Sequence, residues 1–432
     1  MSRFLKIMIV LLTIAAVATP VMAEDRLSLG GQMRVRGWYL DDERANDNNT
    51  SSFMDQRLRI GGKFNIAEGV SVTFRFDETE SAWGDQPGNG AGRLVSSDNP
   101  MQWDRAYFDI TKGMFHLRGG LHSFTWGRSA FDAQDNGLYL DINTPVKVSL
   151  FWSINDNNNG SVYSNKANYN SDAYYYGAKV GFKADGVAAD GYVVGQKGDT
   201  GGTTATAPSL FNEEVYVIGA NGKFDLNAVK LEVELDYFTG DAATELASDS
   251  KDAIGTQLFV DASVAASEAF TVGAQLYYAL GTDDADEAQY YCLGNEFNGW
   301  DSLFILGTGL DNEKAGMGRP FDLGKALSSD GEYGSSTGIM AIRGYASFKA
   351  SDDLTLSGSL AYAEPEEDSN TDLDSAVLLG VGVAYDLMSN VQLTFQGEYK
   401  AISADETTND SGDQVKSDPN VLTGGVALFV NF

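Results

Sequence analysis

The sequence has few of the residues from which catalytic and covalently stabilised sites are built. It contains one cysteine, Cys292, and two histidines, His116 and His122, in 432 residues. A single cysteine excludes an internal disulfide framework. His122 is followed by Ser123, but adjacency in the chain does not make a Ser-His-Asp geometry. We therefore expect neither enzymatic activity nor a bound cofactor.

Patterns that bind metal ions are also weak. The stretch from Asn155 to Gly160 reads NDNNNG, as in calcium-binding loops. The twelfth position of such a loop is Lys166, where calcium coordination requires a bidentate glutamate. Acidic residues near position 285 suit either loose binding of divalent cations or a solvated surface. We expect no metal site.

Long apolar runs are absent beyond the first 23 residues, so no transmembrane helix is expected. Residues 1–23 combine a basic start at Arg3 and Lys6, a short apolar run and the small-residue ending Val21-Met22-Ala23. This is the pattern of a secretory signal peptide. Residues 24–432 contain no linker or change in composition, and we expect them to form one domain.

Basic residues are outnumbered by acidic ones. The net charge is −31, and removal of Arg3 and Lys6 with the signal peptide makes it −33. Such an excess of acid argues against binding to nucleic-acid backbones.

Alternation of apolar and polar residues is the main structural signal. Residues Val421 to Phe432 read VLTGGVALFVNF, in which Val426, Leu428 and Val430 share one face. Period-two alternation predicts a β-strand, and a strand reaching a terminal aromatic suits one that closes a barrel. An ordinary final strand of a β-sandwich is the alternative, although it requires the same pattern over 400 residues without a second domain.

The whole chain can be divided in this way. We predict an all-β transmembrane antiparallel barrel of about 18 strands with short periplasmic turns and long external loops. Sixteen strands are possible if the weak pair around Thr144-Pro145 belongs to a folded loop. A barrel of this size leaves an aqueous channel.

Arginines concentrate in the first third of the chain. Seven of them fall on the polar face of five consecutive predicted strands: Arg34, Arg36, Arg57, Arg59, Arg75, Arg105 and Arg118. In a barrel these residues would form a basic patch on the inner wall, opposed by Glu232, Glu234 and Asp236. Such charges either select permeating solutes or pair with nearby carboxylates to keep the barrel rigid. The two interpretations are compatible.

Several motifs resemble trimeric general porins of Gram-negative outer membranes. They are Asp104-Arg105-Ala106-Tyr107-Phe108, Gly119-Gly120-Leu121, Trp126-Gly127-Arg128 and the terminal Phe432. The resemblance implies a homotrimer whose third external loop, here Ser123–Asp135, folds inward and places Asp132 and Asp135 at a constriction. The loop Thr282–Thr337, more than fifty residues long, departs from that family.

These observations predict a porin in the bacterial outer membrane. We expect a water-filled channel for passive diffusion of small hydrophilic solutes and ions, in contact with the lipid bilayer and lipopolysaccharide. A channel selective for anions or carboxylates is the first alternative. An occluded structural or adhesion barrel is the second.

Overall fold

The computed structural model describes residues 26–42, 49–78, 81–83, 101–128, 130–155, 173–199, 212–242, 251–284, 286–294, 337–368, 373–405, 407–408, 414–415 and 418–432. The expected signal peptide, the NDNNNG stretch apart from Asn155, and most of the long loop 282–337 lie outside these residues. Among the residues described, no helix is long and apolar enough to cross a membrane.

The described residues contain eighteen long strands. They are β1 Leu27–Asp42, β2 Asn49–Ala67, β3 Val70–Glu78, β4 Met101–Lys112, β5 Phe115–Trp126, β6 Phe131–Ile142, β7 Val146–Asn155, β8 Ala173–Ala184, β9 Val187–Asp199, β10 Asn212–Leu226, β11 Val229–Ala242, β12 Lys251–Ala265, β13 Phe270–Ala279, β14 Ile339–Lys349, β15 Leu354–Glu364, β16 Leu373–Met388, β17 Val391–Ala404 and β18 Asn420–Asn431.

The strands form one closed antiparallel sheet. Each strand pairs with its neighbours in the sequence, and β1 also pairs with β18, with Val35 opposite Leu428. At this seam Gly31 and Phe432 exchange two backbone hydrogen bonds, of 2.8 and 3.0 Å. The prediction of an 18-stranded barrel is confirmed. The alternative of sixteen strands is wrong, because β6 and β7 are both paired into the wall.

The two ends of the barrel differ. Tight turns join the strands at one end, where Gly113 and Gly186 have positive φ angles of 59° and 68° that glycine adopts without strain. The start of β1 and the end of β18 lie at this same end, as an even number of strands requires. The longer connections lie at the opposite end.

The wall has an apolar outer face and a largely polar inner face. On β11, the outward side chains of Leu235 and Tyr237 are 52% and 54% exposed, whereas Glu234 and Asp236 between them are buried inside the barrel. The alternation of side chains along a strand produces this separation. An outer face of exposed apolar side chains suits lipid, and it places the charges in the interior.

We predict that a charge on the outer face destabilises the barrel. Replacing Leu235 with arginine should lower the free energy of unfolding in lipid vesicles by about 2–4 kcal/mol, because a cation is costly near the bilayer midplane. Urea unfolding followed by tryptophan fluorescence measures this change. The control is Ser263→Arg, which adds the same charge on the inner side of β12, beside a cavity of about 520 Å³. Equal losses in both variants would contradict this assignment of faces.

Candidate functional site inside the barrel

The seven arginines predicted to line the interior all lie on the inner face of β1 to β5. Arg34 and Arg36 are fully buried, and Arg57 is 5% exposed. Arg34 and Arg57 are opposite each other in the register of β1 and β2. The four others keep between 24% and 38% of their side-chain surface: Arg59, Arg75, Arg105 and Arg118. These side chains therefore share one region of the wall, and their role in lining a pore stays a prediction.

Five of these arginines contact carboxylates of the same region. Arg36 binds Asp55 at 2.8 Å, and the indole N–H of Trp38 donates to the second oxygen of Asp55 at 2.9 Å. On the next pair of strands, Arg59 binds Asp77 at 2.6 Å. These pairs join neighbouring strands, so much of the positive charge is neutralised within the wall.

A β-bulge on β4 brings one more carboxylate to the arginines of the wall. The register of β3 and β4 shifts between Arg75 and Phe76, so that Trp103 stays outside while Asp104 and Arg105 both turn inward. Asp104 then contacts both Arg75 and Arg105, the latter at 3.4 Å. Arg118 on β5 similarly binds Asp109 on β4 at 3.0 Å.

The prediction that residues Ser123–Asp135 form a loop is wrong. These residues continue β5 and β6 as an antiparallel hairpin, with Ser123 opposite Gln134 and Trp126 opposite Phe131. The neighbouring strands do not follow them: β4 pairs with β5 only up to Leu121, and β7 pairs with β6 only from Asn136. The end of the hairpin therefore leaves the wall and bends into the barrel.

Glycines allow this bend. Gly120 on β5 has a φ angle of +125°, and a Cβ atom there would lie 2.3 Å from the carbonyl oxygen of Ala106. Gly137 lies opposite Gly120 on β6, and a Cβ atom there would lie 2.4 Å from the carbonyl oxygen of Trp152. Both strands of the hairpin thus lack a side chain at the point where it turns inward.

The hairpin end packs along the inner wall as far as β12. Trp126 packs edge-to-face on Phe151 of β7. The backbone N–H of Arg128 donates to Glu234 Oε2 of β11 at 2.5 Å, and its guanidinium carbon lies 4.2 Å from the centre of the Phe259 ring of β12. A Cβ atom at Gly127 would lie 2.3 Å from the hydroxyl oxygen of Tyr192 of β9, so only glycine fits at this position.

Apolar side chains fill the space between the hairpin and the wall. We call this group the hairpin cluster: Phe124, Trp126, Ala130, Phe131, Ala133, Phe151, Tyr175, Tyr192, Val194, Val215, Val217, Phe238, Ala242, Ala253 and Leu293. Every member is at most 6% exposed. Burial of this area holds the hairpin against β7 to β12 and leaves the arginine-bearing wall of β1 to β5 on the other side.

A second segment enters the barrel after β13. Residues Glu287–Gln289 pair in parallel with the first residues of β12, Asp252 to Ile254, beyond the point where β13 stops. Leu293 then forms a parallel bridge with Phe131, with hydrogen bonds of 2.9 Å to the carbonyl of Ala130 and 3.0 Å from the N–H of Asp132. This inner segment, residues 286–294, therefore joins β12 to the hairpin end.

Cys292 lies in the inner segment. Its thiol contacts the carbonyl of Leu293 at 3.2 Å. Burial raises the pKa of the thiol, and the carboxylate of Asp132 adds to this effect. A raised pKa lowers the fraction of the thiolate, which is the nucleophilic form of cysteine.

Asp132 and Asp135 lie on the inward-bent hairpin but on opposite faces of β6. Asp132 shares its face with Thr125, whose hydroxyl donates to it at 2.7 Å. Asp135 is across the hairpin from His122 and accepts a long hydrogen bond of 3.4 Å from Ser153 of β7. Both are buried. Their shared role at one constriction therefore stays a prediction. The two carboxylates lie on different surfaces of the hairpin.

Sequence reasoning named Glu234 only as part of an acidic wall and missed its contact with the hairpin. The contact joins residues 106 positions apart. The alternation of Phe124 and Trp126 with Ser123 and Thr125 was the signal that could have identified the hairpin.

The group nearest to a catalytic arrangement is formed by His116, Asp141 and Ser149. His116 lies 3.6 Å from Asp141, and the Ser149 hydroxyl donates to Asp141 at 2.6 Å. A nucleophilic triad needs the serine bonded to the histidine instead. Within the described ranges, no group of three or more His, Cys, Asp or Glu side chains has the geometry to hold a metal ion.

Comparison with known proteins identifies the fold. No family model matches the chain, and no curated protein matches it in sequence. Among solved structures, OpdL of Pseudomonas aeruginosa has a TM-score of 0.53 at 9% identity, covering 94% of this chain and 98% of its own. A BenF-like porin of Pseudomonas fluorescens Pf-5 has a TM-score of 0.52 at 11% identity, covering 94% and 99%. OpdO of Pseudomonas aeruginosa has a TM-score of 0.53 at 9% identity, covering 94% and 97%. The chain therefore has the β-barrel fold of outer-membrane porins.

We predict that the anchor at Glu234 controls access to Cys292. Replacing Glu234 with alanine removes the acceptor for the Arg128 N–H, and loss of a charge-assisted hydrogen bond should increase thiol labelling of the folded protein by about tenfold. The rate of modification by a methanethiosulfonate reagent in detergent measures this effect.

The matched control is Glu232→Ala on the same inner face of β11. Glu232 binds Lys223 at 3.0 Å, and no contact with the hairpin is found for it in the described chain. Labelling should stay at the wild-type rate in this variant. Equal acceleration in both variants would show that Glu234 acts through general loosening of β11 instead.

Proposed function

We propose that this protein is a porin of the bacterial outer membrane, through which small hydrophilic solutes and ions diffuse down their own gradients. The observation that carries the proposal is the hairpin end, residues 122–135, bent from the wall into a barrel whose inner face bears charged side chains. A charged interior narrowed by an inward segment is how pores combine water access with selection by size and charge.

Diffusion of this kind needs no cofactor and no catalytic step. The hairpin cluster occupies the side of β7 to β12, so permeating solutes pass between the hairpin and the wall of β1 to β5. The arginines on that wall then exert a positive electrostatic potential on the solute. The aspartates paired with them largely neutralise this potential: Asp55, Asp77, Asp104 and Asp109. We propose that Asp132, on the hairpin face away from the cluster, contributes the opposing negative charge.

A selective channel for anions or carboxylates is the second candidate. The observation that favours it is the row of seven arginines on five neighbouring strands. An occluded structural or adhesion barrel is the third, and it is favoured by the buried apolar side chains inside the barrel. Ionic conductance separates the third candidate from the others.

The surroundings of the protein follow from the same proposal. The signal peptide, residues 1–23, would direct export and then be removed. The apolar outer face would contact the lipid bilayer, with lipopolysaccharide around the external ends of the strands. We propose assembly as a homotrimer, as the sequence resemblance to general porins implies. The similarity of the fold to the BenF-like porin of Pseudomonas fluorescens supports the channel class.

We expect the purified protein to give ohmic single-channel steps in a planar lipid bilayer. A salt gradient across the bilayer then yields a reversal potential, whose sign shows whether anions or cations pass more readily. Heat-dependent migration in detergent gels verifies that the barrel is folded. Absence of steps from folded, inserted protein would refute the channel and favour an occluded barrel.

We also expect that removal of the hairpin end enlarges the channel. Leu121 and Asn136 are opposite each other, so residues 122–135 can be replaced by Asn-Gly, which forms a tight two-residue turn. The unitary conductance of this variant should exceed that of the wild type, because the inward obstruction is gone. An Asn-Gly variant that folds and conducts like the wild type would show that the narrowest point lies elsewhere.

A further inference from the structure

The ion pairs on the inner face of β2 to β5 use only part of each arginine. Arg59, Arg75 and Arg118 each contact an aspartate through the Nε atom. No other hydrogen bond or ion pair is found for these three side chains in the described part of the chain. Each keeps between 24% and 31% of its side-chain surface exposed. The terminal N–H groups of the guanidinium groups are therefore available to a solute.

The aspartates of these pairs are also bound on one side only. Asp104 contacts its two arginines through Oδ2. Asp109 contacts Arg118 at 3.0 Å and His116 at 2.8 Å, both through Oδ1. Among the described residues, no donor is found for Oδ1 of Asp104 or for Oδ2 of Asp109. Each carboxylate therefore has one oxygen bound within the wall and one that can accept a hydrogen bond from a solute.

The pairs follow one another along the wall. The first lies between β2 and β3, the second includes the bulge of β4, and the third lies between β4 and β5, closest to the tight turns. Side chains two residues apart on a strand share a face, so all three pairs point into the barrel. We call this group the Arg-Asp lane: Arg59, Asp77, Arg75, Asp104, Arg105, Asp109 and Arg118.

Neutral hydrogen-bonding groups accompany the lane. Tyr107 lies on the same inner face of β4, with the guanidinium carbon of Arg118 at 4.6 Å from its ring centre and the ring of His122 at 5.6 Å. No partner is found for the Tyr107 hydroxyl among the described residues. Ser123 and Thr125 are exposed on the hairpin face away from the hairpin cluster. Hydroxyls thus lie both within the lane and on the hairpin.

Charge in the lane is nearly balanced, since four arginines accompany three aspartates. A net anion is repelled by the aspartates and a net cation by the arginines, so neither gains much Coulomb energy from the lane as a whole. A hydroxyl both donates and accepts hydrogen bonds. Two neighbouring hydroxyls of one solute can therefore bind a guanidinium N–H and a carboxylate oxygen together, and hydrogen bonds to charged groups are stronger than those between neutral groups.

We propose that the Arg-Asp lane is a binding path for neutral polyhydroxylated solutes, with sugars as the substrate class. The inference rests on the proposed channel function and names the substrate class of that channel. It gives the ion pairs a role in recognition, because each pair offers a donor and an acceptor side by side. A few polar groups placed in this way determine which solutes a site accepts.

The test compares three solutes by their blockade of single-channel current: glucose, gluconate and a short polyethylene glycol of the same hydrodynamic radius. Glucose should reduce the wild-type current in a saturable manner. Polyethylene glycol donates hydrogen bonds only at its ends, so its effect should grow with concentration without saturating. Gluconate keeps most hydroxyls and adds a negative charge, and it should block no more tightly than glucose.

Asp104→Asn removes the carboxylate that balances Arg75 and Arg105. The dissociation constant for glucose blockade should rise by about tenfold, since a charged acceptor is lost. The two unbalanced arginines should then make gluconate the tighter blocker. Asp109→Asn tests the same reversal nearer the tight turns and keeps the test available if Asp104→Asn does not fold. A purely structural role of either aspartate would leave the order of the two solutes unchanged.

The matched control is Glu232→Gln on the inner face of β11. It also neutralises a carboxylate of an ion pair inside the barrel, in this case with Lys223 at 3.0 Å, but away from the lane. The constant for glucose blockade should change by less than about twofold in this variant. Heat-dependent migration in detergent gels checks that each variant is folded.

The outcomes separate this inference from the proposed function. A folded, inserted wild-type protein without conductance overturns both. A conducting wild type that glucose affects no more than polyethylene glycol overturns the sugar-binding lane alone, and so does tighter blockade by gluconate than by glucose. Glucose blockade that is unchanged in both aspartate variants, or weakened equally in Glu232→Gln, also overturns the lane and leaves the channel standing.

Discussion

The need to pair every backbone N–H and C=O group shapes this protein at each level. Lipid offers no partner to these groups, so the eighteen strands close on themselves and β1 binds β18. The same need operates inside. Where β13 stops and β12 continues, residues Glu287–Gln289 take the vacant edge of β12. Where the β5–β6 hairpin leaves the wall, Leu293 pairs with its inner end. Backbone pairing thus links the wall, the inner segment and the hairpin.

Charged side chains inside the barrel are also paired, in this case with groups of opposite charge. Neighbouring strands place arginine and aspartate side by side, and the bulge at Asp104 brings one carboxylate to two arginines. Paired charges keep the wall polar and hydrated without a large field. A contact with an aromatic ring is different, because Phe259 holds the guanidinium of Arg128 in place without neutralising its positive charge. The position of an arginine in the interior therefore does not by itself show whether its charge is neutralised.

Local patterns in the sequence were sufficient to predict the strands of the barrel wall and the faces of their side chains. Alternation on β11, with Leu235 facing out and Asp236 facing in, follows from strand geometry alone, and so does the placement of the seven arginines. The hairpin end was assigned to a loop because it corresponds to the third external loop of the porins that the sequence resembles. Its true structure depends on partners far away in the chain, Glu234 and Leu293. Period-two alternation predicts a strand but does not say whether that strand stays in the wall.

The same limit applies to the acids of the hairpin. Asp132 and Asp135 were assigned to one constriction from the resemblance to porins, yet an odd spacing of three places them on opposite faces once the segment is extended. The contact of Asp104 with both Arg75 and Arg105 also depends on a bulge that no local pattern marks.

The seam between β1 and β18 has a consequence for how the chain reaches this state. The side chain of Gln32 bonds that of Asn431, 399 positions away. Contacts between such distant positions are slow to form, because loop-closure entropy opposes them until late in folding. Until then β1 presents an open edge that other strands can join, the condition under which sheets aggregate. Assembly of this barrel therefore requires that the first strand be shielded until the last one arrives.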